Sequence, residues 1–153
     1  MCKELGFILA GSVRLYHLKD GEEITEYFCQ EHEFISSYKS FLKQLPSVPS
    51  IQALEDLLLI TLKHQALTQL YDNPIIGHKM ERFGRRIAEE LISCYEDRVL
   101  AFVTKSPEER YTSIIRCNPS MLQHIPQRYL ANYLGITAVS LSRIRKRIVT
   151  LGK

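Results

Sequence analysis

Pro126-Gln127-Arg128-Tyr129-Leu130-Ala131-Asn132-Tyr133-Leu134-Gly135-Ile136-Thr137-Ala138-Val139-Ser140-Leu141-Ser142-Arg143-Ile144-Arg145-Lys146-Arg147-Ile148 holds two short helical patterns, Gln127 to Leu134 and Ala138 to about Val149. The join between them, Gly135-Ile136-Thr137, is tight. Pro126 can open the first helix, Gly135 can take the left-handed conformation that ends it, and Thr137 can cap the second by accepting a backbone N–H bond. Leu130, Ala131, Leu134, Ile136, Leu141, Ile144 and Ile148 recur where two steeply crossing helices bury side chains together, with the small Ala131 at the close approach. This spacing predicts a helix-turn-helix.

If Leu141, Ile144 and Ile148 face the core, the opposite face of the second helix presents Ala138, Ser142, Arg143, Arg145 and Lys146, with Ser140 towards its edge. Arginine can bridge guanine O6 and N7, serine can bond to bases or phosphates, and Ala138 or Val139 can meet a thymine methyl. Together with Arg128, Thr137 and Arg147 these are the candidate DNA-binding residues. A plain helical hairpin with a solvated cationic face would share the charge, but not the coincidence of cap, turn glycine and small residue.

Charge supports the same end of the chain. Residues 1–109 carry 12 Lys+Arg and 17 Asp+Glu, a net of −5, whereas residues 110–153 carry eight Lys+Arg, Lys153 included, and no acid, a net of +8. A basic end on an acidic body suits a polyanion, because each cation placed near a phosphate releases condensed counterions. The 153 residues, 45% of them hydrophobic, suffice for a globular core. No apolar run is long enough to span a membrane and no secretory segment is visible, so a cytoplasmic protein is expected. Cys2, Cys29, Cys94 and Cys117 lie at wide spacings that close no metal site and are expected to be reduced structural thiols. His17, His32, His64, His78 and His124 are dispersed and no glycine-rich phosphate loop occurs, so no catalytic constellation is apparent and the chain does not read as an enzyme. No cofactor or metal is called for.

Upstream, Ser106-Pro107-Glu108-Glu109 supplies an N-cap, a proline at the first helical position and a glutamate at the third, predicting a helix to about Arg116, closed by Asn118-Pro119. Before it, Ile76, Met80, Phe83, Ile87 and Leu91 step by four, three, four and four, and Tyr95, Val99 and Phe102 prolong the stripe. The helix begun by Pro74 would reach about 28 residues, on the order of 40 Å. Its apolar side exceeds what a small barrel can cover, so Ile76, Met80, Phe83, Ile87 and Leu91 are expected to serve a dimer interface along one edge while the other meets the barrel. A short helix is expected from His64 to Tyr71. The first third alternates like strands: Phe7-Ile8-Leu9 to the Gly11 break, Val13 to Tyr16, a turn at Lys19-Asp20-Gly21-Glu22, and Ile24 to Phe28, read as a β-meander. Leu57 to Leu62 reads as a buried strand.

The chain resembles the Crp/Fnr family of bacterial transcription regulators, in its divergent branch without the cyclic-AMP signature. The resembling stretches are Phe7 to Tyr16 in the barrel, Glu33-Phe34-Ile35-Ser36-Ser37-Tyr38 through Pro49-Ser50-Ile51 at the ligand cassette, and Tyr133-Leu134-Gly135-Ile136-Thr137 through Leu141-Ser142-Arg143-Ile144 at the DNA end. The resemblance implies an α+β fold: a partial double-stranded β-helix, or jelly-roll, sensor domain, a long dimerisation helix, and a C-terminal helix-turn-helix of winged-helix type. Residues 1–73 would form the partial cyclic-nucleotide-binding-like β-roll, 74–104 the dimerisation helix and 105–153 the helix-turn-helix domain. The first strand aligns inside such a roll, so the chain reads as N-terminally shortened, with little sequence after Lys153 for a wing.

The resemblance also implies a homodimer that reads double-stranded DNA, with RNA polymerase as a candidate further partner, and an effector pocket at Phe34, Ile35, Ser36, Ser37, Tyr38, Pro49 and Ser50. Family members that bind cyclic AMP carry Gly-Glu where this chain has Ser36-Ser37, and Arg-Ser where it has Pro49-Ser50. Each lost charge is a charge-assisted hydrogen bond of roughly 1.5 to 3 kcal/mol, so cyclic AMP is not expected as the effector, whose identity the residues leave open. At the recognition helix Ala138-Val139 replaces the family's Arg-Glu, while Arg143 matches a base-contacting arginine. The alternative function is a ligand-sensing module that acts through protein partners without specific DNA binding.

Overall fold

Two sheets, each of three antiparallel strands, face one another around Ile8, Val13, Leu15, Cys29 and Ile35. The computed structural model describes residues 1–119 and 121–151; Lys153 and anything following it, including the wing considered above, lie outside them. One sheet has the order β4 (Phe34–Ile35), β1 (Glu4–Ala10), β6 (Leu58–Lys63), and the other β3 (Glu22–Cys29), β2 (Val13–Lys19), β5 (Ser50–Ala53). The fold is therefore α+β, with the expected roll, long helix and C-terminal helical domain.

The β-meander is not what forms. Only β2 and β3 make a hairpin, while β1 pairs with β4 and β6 in the other sheet. The chain changes sheets at Gly11, whose φ of +93° favours glycine and whose Cα a Cβ could not leave without meeting Asp56 O at 2.3 Å. The hairpin turn is as read: Lys19 pairs with Glu22, and Asp20 and Gly21 both have positive φ, the two-residue geometry matching strand twist. The strand from Leu58 is not buried as expected. It sits at a sheet edge, with Leu58 and Ile60 exposed and Leu59 and Leu62 turned inward.

Five helices complete the body up to the C-terminal pair: α1 (Tyr38–Lys43), α2 (His64–Tyr71), α3 (Gly77–Thr104), α4 (Pro107–Cys117) and α5 (Met121–His124). The 28-residue α3 starts after Pro74 because Asn73 Oδ1 accepts the amides of Ile75 and Ile76, making a turn ahead of the first helical residue. The capping box of α4 forms as read: Ser106 Oγ accepts from Glu109 N and Glu109 Oε2 accepts from Ser106 N at 2.8 Å. The hydrogen bond from Ser106 holds the Glu109 carboxyl below its ordinary range. α6 (Gln127–Tyr133) and α7 (Ala138–Leu151) follow. Their core, Leu130, Ala131, Leu134, Leu141 and Ile144 with Tyr111, Met121 and Ile125, also takes in Phe28 of β3. Roll and helical domain thus share one apolar cluster.

Candidate nucleic-acid interface

The turn between α6 and α7 follows the local chemistry of its residues. Gly135 has φ +71°, and its amide donates to Asn132 O at 2.9 Å. Thr137 Oγ1 accepts from Ser140 N at 3.1 Å, capping α7 and holding Ser140 half-buried at its edge. Leu141 is 0% exposed and Ile144 is buried, with Ile148 half-buried behind them. This leaves Ala138, Ser142, Arg143, Arg145 and Lys146 exposed on α7. Val139 shares that face at 61% exposure, four residues before Arg143 and seven before Lys146, so an apolar contact lies in line with two cations.

Arg143, Arg145 and Lys146 form no ion pair among the described residues, whereas Arg147 bonds Glu108 of α4 at 3.1 Å. That acid lies 39 positions upstream, outside the acid-free stretch. Arg128 is exposed but tethered: its guanidinium rests 4.5 Å from the Tyr129 ring centre and donates to the Tyr129 hydroxyl at 2.8 Å.

What orients α6, and through it α7, is a set of contacts that local patterning did not single out. Arg14 of β2 is 1% exposed, donates from Nε to Gln52 Oε1 at 2.7 Å and pairs with Glu23. Its guanidinium lies over two rings, Tyr16 at 4.4 Å and, across the domain boundary, Tyr129 at 3.6 Å. Thr25 N donates to Asn132 Oδ1, and the Phe28 and Tyr133 rings meet at 5.2 Å. From the other side Arg98 of α3 covers Tyr133 at 3.8 Å, and Arg110 of α4 donates to Leu134 O at 2.8 Å. Strand alternation turns Arg14 to the face opposite Val13 and Leu15, away from the roll core, so its sequence position carries no sign that α6 will cover it.

The expected effector residues gather around two adjoining spaces between the roll and α3. Phe34, Ile35, Ser36 and Tyr38 line an inner cavity of about 200 Å³. Ser36, Ser37, Tyr38 and Pro49 line an outer one of about 650 Å³, and Ser50 is exposed on β5 outside both. In the outer space His17 bonds Glu26 at 2.9 Å, and Tyr95 donates to Glu26 at 3.1 Å. Burial, then the nearby Glu26 charge, pushes the Tyr95 phenol up to about 12.

The residues expected along a dimer seam lie largely on the side of α3 that meets the roll. Met80 packs on the Leu5–Phe41–Leu67 cluster, Phe83 meets Phe34 at 5.9 Å, Ile87 and Leu91 line the inner cavity, and Ile76 is half-buried. A further line, Ile92, Val99 and Val103, is 60 to 79% exposed, with Ile92 at the edge of the inner cavity. Among the described residues no helix is long and apolar enough to cross a membrane, and no group of His, Cys, Asp and Glu could hold a metal.

No sequence-family model and no characterised protein sequence matches the chain. Solved structures do. FixK2 from Bradyrhizobium japonicum superposes with a TM-score of 0.77 at 21% identity, over 98% of this chain and 76% of that one. A protein from Eubacterium rectale described as a transcriptional regulator of the Crp/Fnr family gives 0.74 at 18%, over 99% and 71%. CLP from Xanthomonas campestris, described as a c-di-GMP responsive global regulator, gives 0.71 at 16%, over 98% and 79%. The chain has the fold of Crp/Fnr regulators.

Proposed function

We propose that this chain, built on the Crp/Fnr fold, is a sequence-specific DNA-binding transcription regulator and not an enzyme, acting as a homodimer whose β-roll senses an effector other than cyclic AMP. The observation that carries the reading is α7: an apolar side locked down by Leu141 and Ile144, and an outward side with Val139, Arg143 and Lys146 in line. In this reading residues 1–73 are the sensor, 74–104 the dimerisation helix and 105–153 the DNA-binding domain, with RNA polymerase a further partner.

Arg143 reads a base and Lys146 a phosphate. Arg143→Ala is expected to lower affinity for a selected DNA site by roughly 1 to 3 kcal/mol and to relax preference at one base pair, measured by gel shift on the site and its single-base variants. An equal loss on every sequence would contradict base reading. A gel shift of the wild type on duplex DNA at two salt concentrations decides against the alternative, since a module acting only through proteins would bind no DNA at either.

The dimer seam in this reading is the exposed line of α3, because its neighbouring face is taken up by the roll. Ile92 and Val99 stand seven residues apart, the repeat of a two-helix seam, and Val103 extends it. The double substitution Ile92→Glu and Val99→Glu is expected to yield monomers by sedimentation at micromolar concentration, with helicity unchanged. Single recognition helices would then lose cooperative binding to two-fold-related half-sites about 34 Å apart.

A further inference from the structure

The inner cavity between the roll and α3 is closed to charge. Its lining, which includes Leu15, Tyr27, Cys29, Phe34, Leu91 and Cys94, has no Lys, Arg, Asp, Glu or His. Several of its polar groups are already engaged within the protein. Cys29 Sγ donates to Phe34 O at 3.6 Å, Ser36 Oγ to Glu4 O at 3.2 Å and the Tyr95 hydroxyl to Glu26 at 3.1 Å. Burial raises Tyr27 and Cys29 well above their ordinary values, so both stay protonated and neutral. Carbon, sulfur and aromatic faces therefore make up most of what a guest would touch. A phosphate would enter without a counter-charge, which is strongly unfavourable away from water. Size points the same way: a cavity of ~150 Å³ walled by Leu, Ile and Phe accommodates benzene, and this one is about 200 Å³.

We propose that this cavity binds a small uncharged apolar molecule, on the scale of one or two fused aromatic rings, and that this is the effector class of the sensor. The inference rests on the regulator reading for its consequence at DNA, but not for the binding itself. The test uses the full chain with indole and toluene as neutral probes and cyclic AMP as the anionic comparison. At about 1 mM the neutral probes are expected to raise Tm by roughly 3 to 6 °C, and cyclic AMP to leave it unchanged. Ala88→Phe, which fills the cavity from α3, is expected to abolish the shift at wild-type helicity. Cys94→Met serves where the ring is not tolerated, since its unbranched chain adapts to the space. No shift with either neutral probe, a shift with cyclic AMP alone, or an undiminished shift in a folded filled variant would overturn the proposal. A parallel gel shift separates the two readings. DNA binding without probe binding sinks the cavity assignment alone, and probe binding without DNA binding sinks the regulator reading alone.

Discussion

Arg14→Ala is expected to destabilise the protein by about 3 to 4 kcal/mol and to split its unfolding into two steps. The side chain is 1% exposed and serves two elements at once: within the roll it bonds Gln52 and Glu23, and across the boundary it lies 3.6 Å from the Tyr129 ring of α6. A guanidinium stacked on a ring in a desolvated setting is worth about 2 kcal/mol, and hydrogen bonds from a charged group add about 1.5 to 3 kcal/mol. Some of this returns when Glu23, 43% exposed, rehydrates. What does not return is the link to α6, which then relies on Thr25 with Asn132 and Phe28 with Tyr133. Arg14→Lys keeps the charge but loses the planar group, so an intermediate loss is expected. Urea unfolding followed separately by circular dichroism and by tyrosine fluorescence checks this. A loss under about 1 kcal/mol with coincident transitions would show that Arg14 contributes packing that its neighbours replace.

The second large effect is on salt dependence. Arg143, Arg145 and Lys146 on each α7 are exposed and form no ion pair among the described residues; with Arg143 on a base, Arg145 and Lys146 remain for phosphates, making four in a dimer. At a slope of about −0.9 per neutralised phosphate, affinity for duplex DNA is expected to fall about 10²-fold between ~50 and ~200 mM salt. Lys146→Ala removes two of the four and should reduce that fall to about 10-fold. Arg147 is held by Glu108 at 3.1 Å, so it is left out of the count. Glu108→Gln frees it and is expected to steepen the slope by up to about 1.8 for the dimer. A slope indifferent to Lys146 and Glu108 alike would place the DNA contact elsewhere than on this face.

These two expectations sit on opposite sides of what could be read without coordinates. Arg143 and Lys146 were legible because helical periodicity turns them away from Leu141 and Ile144. Arg14 was not, because nothing within several residues of it says that a tyrosine 115 positions later will cover its guanidinium. The same distinction separates Arg147, read as a candidate DNA-binding residue, from its pair with Glu108. It also separates the apolar stripe of α3, correctly placed on a long helix, from the allocation of its two sides. Helical spacing identifies Ile87 and Val99 as apolar positions of one helix, but which of them meets the roll depends on where that helix lies against it.

What the chain alone determined is whatever closes over a few residues: the Thr137 cap, the left-handed Gly135, the Ser106–Glu109 capping box, the Asp20-Gly21 turn and the outward face of α7. Each follows from hydrogen bonds and steric limits among near neighbours, so each can be read from spacing. Only the tertiary structure decided that β1 and β2 part company at Gly11, that α6 is held against the roll through Arg14, and that an uncharged cavity lies under α3. Those outcomes depend on contacts between segments tens of residues apart, whose energies become available only once the whole chain has packed.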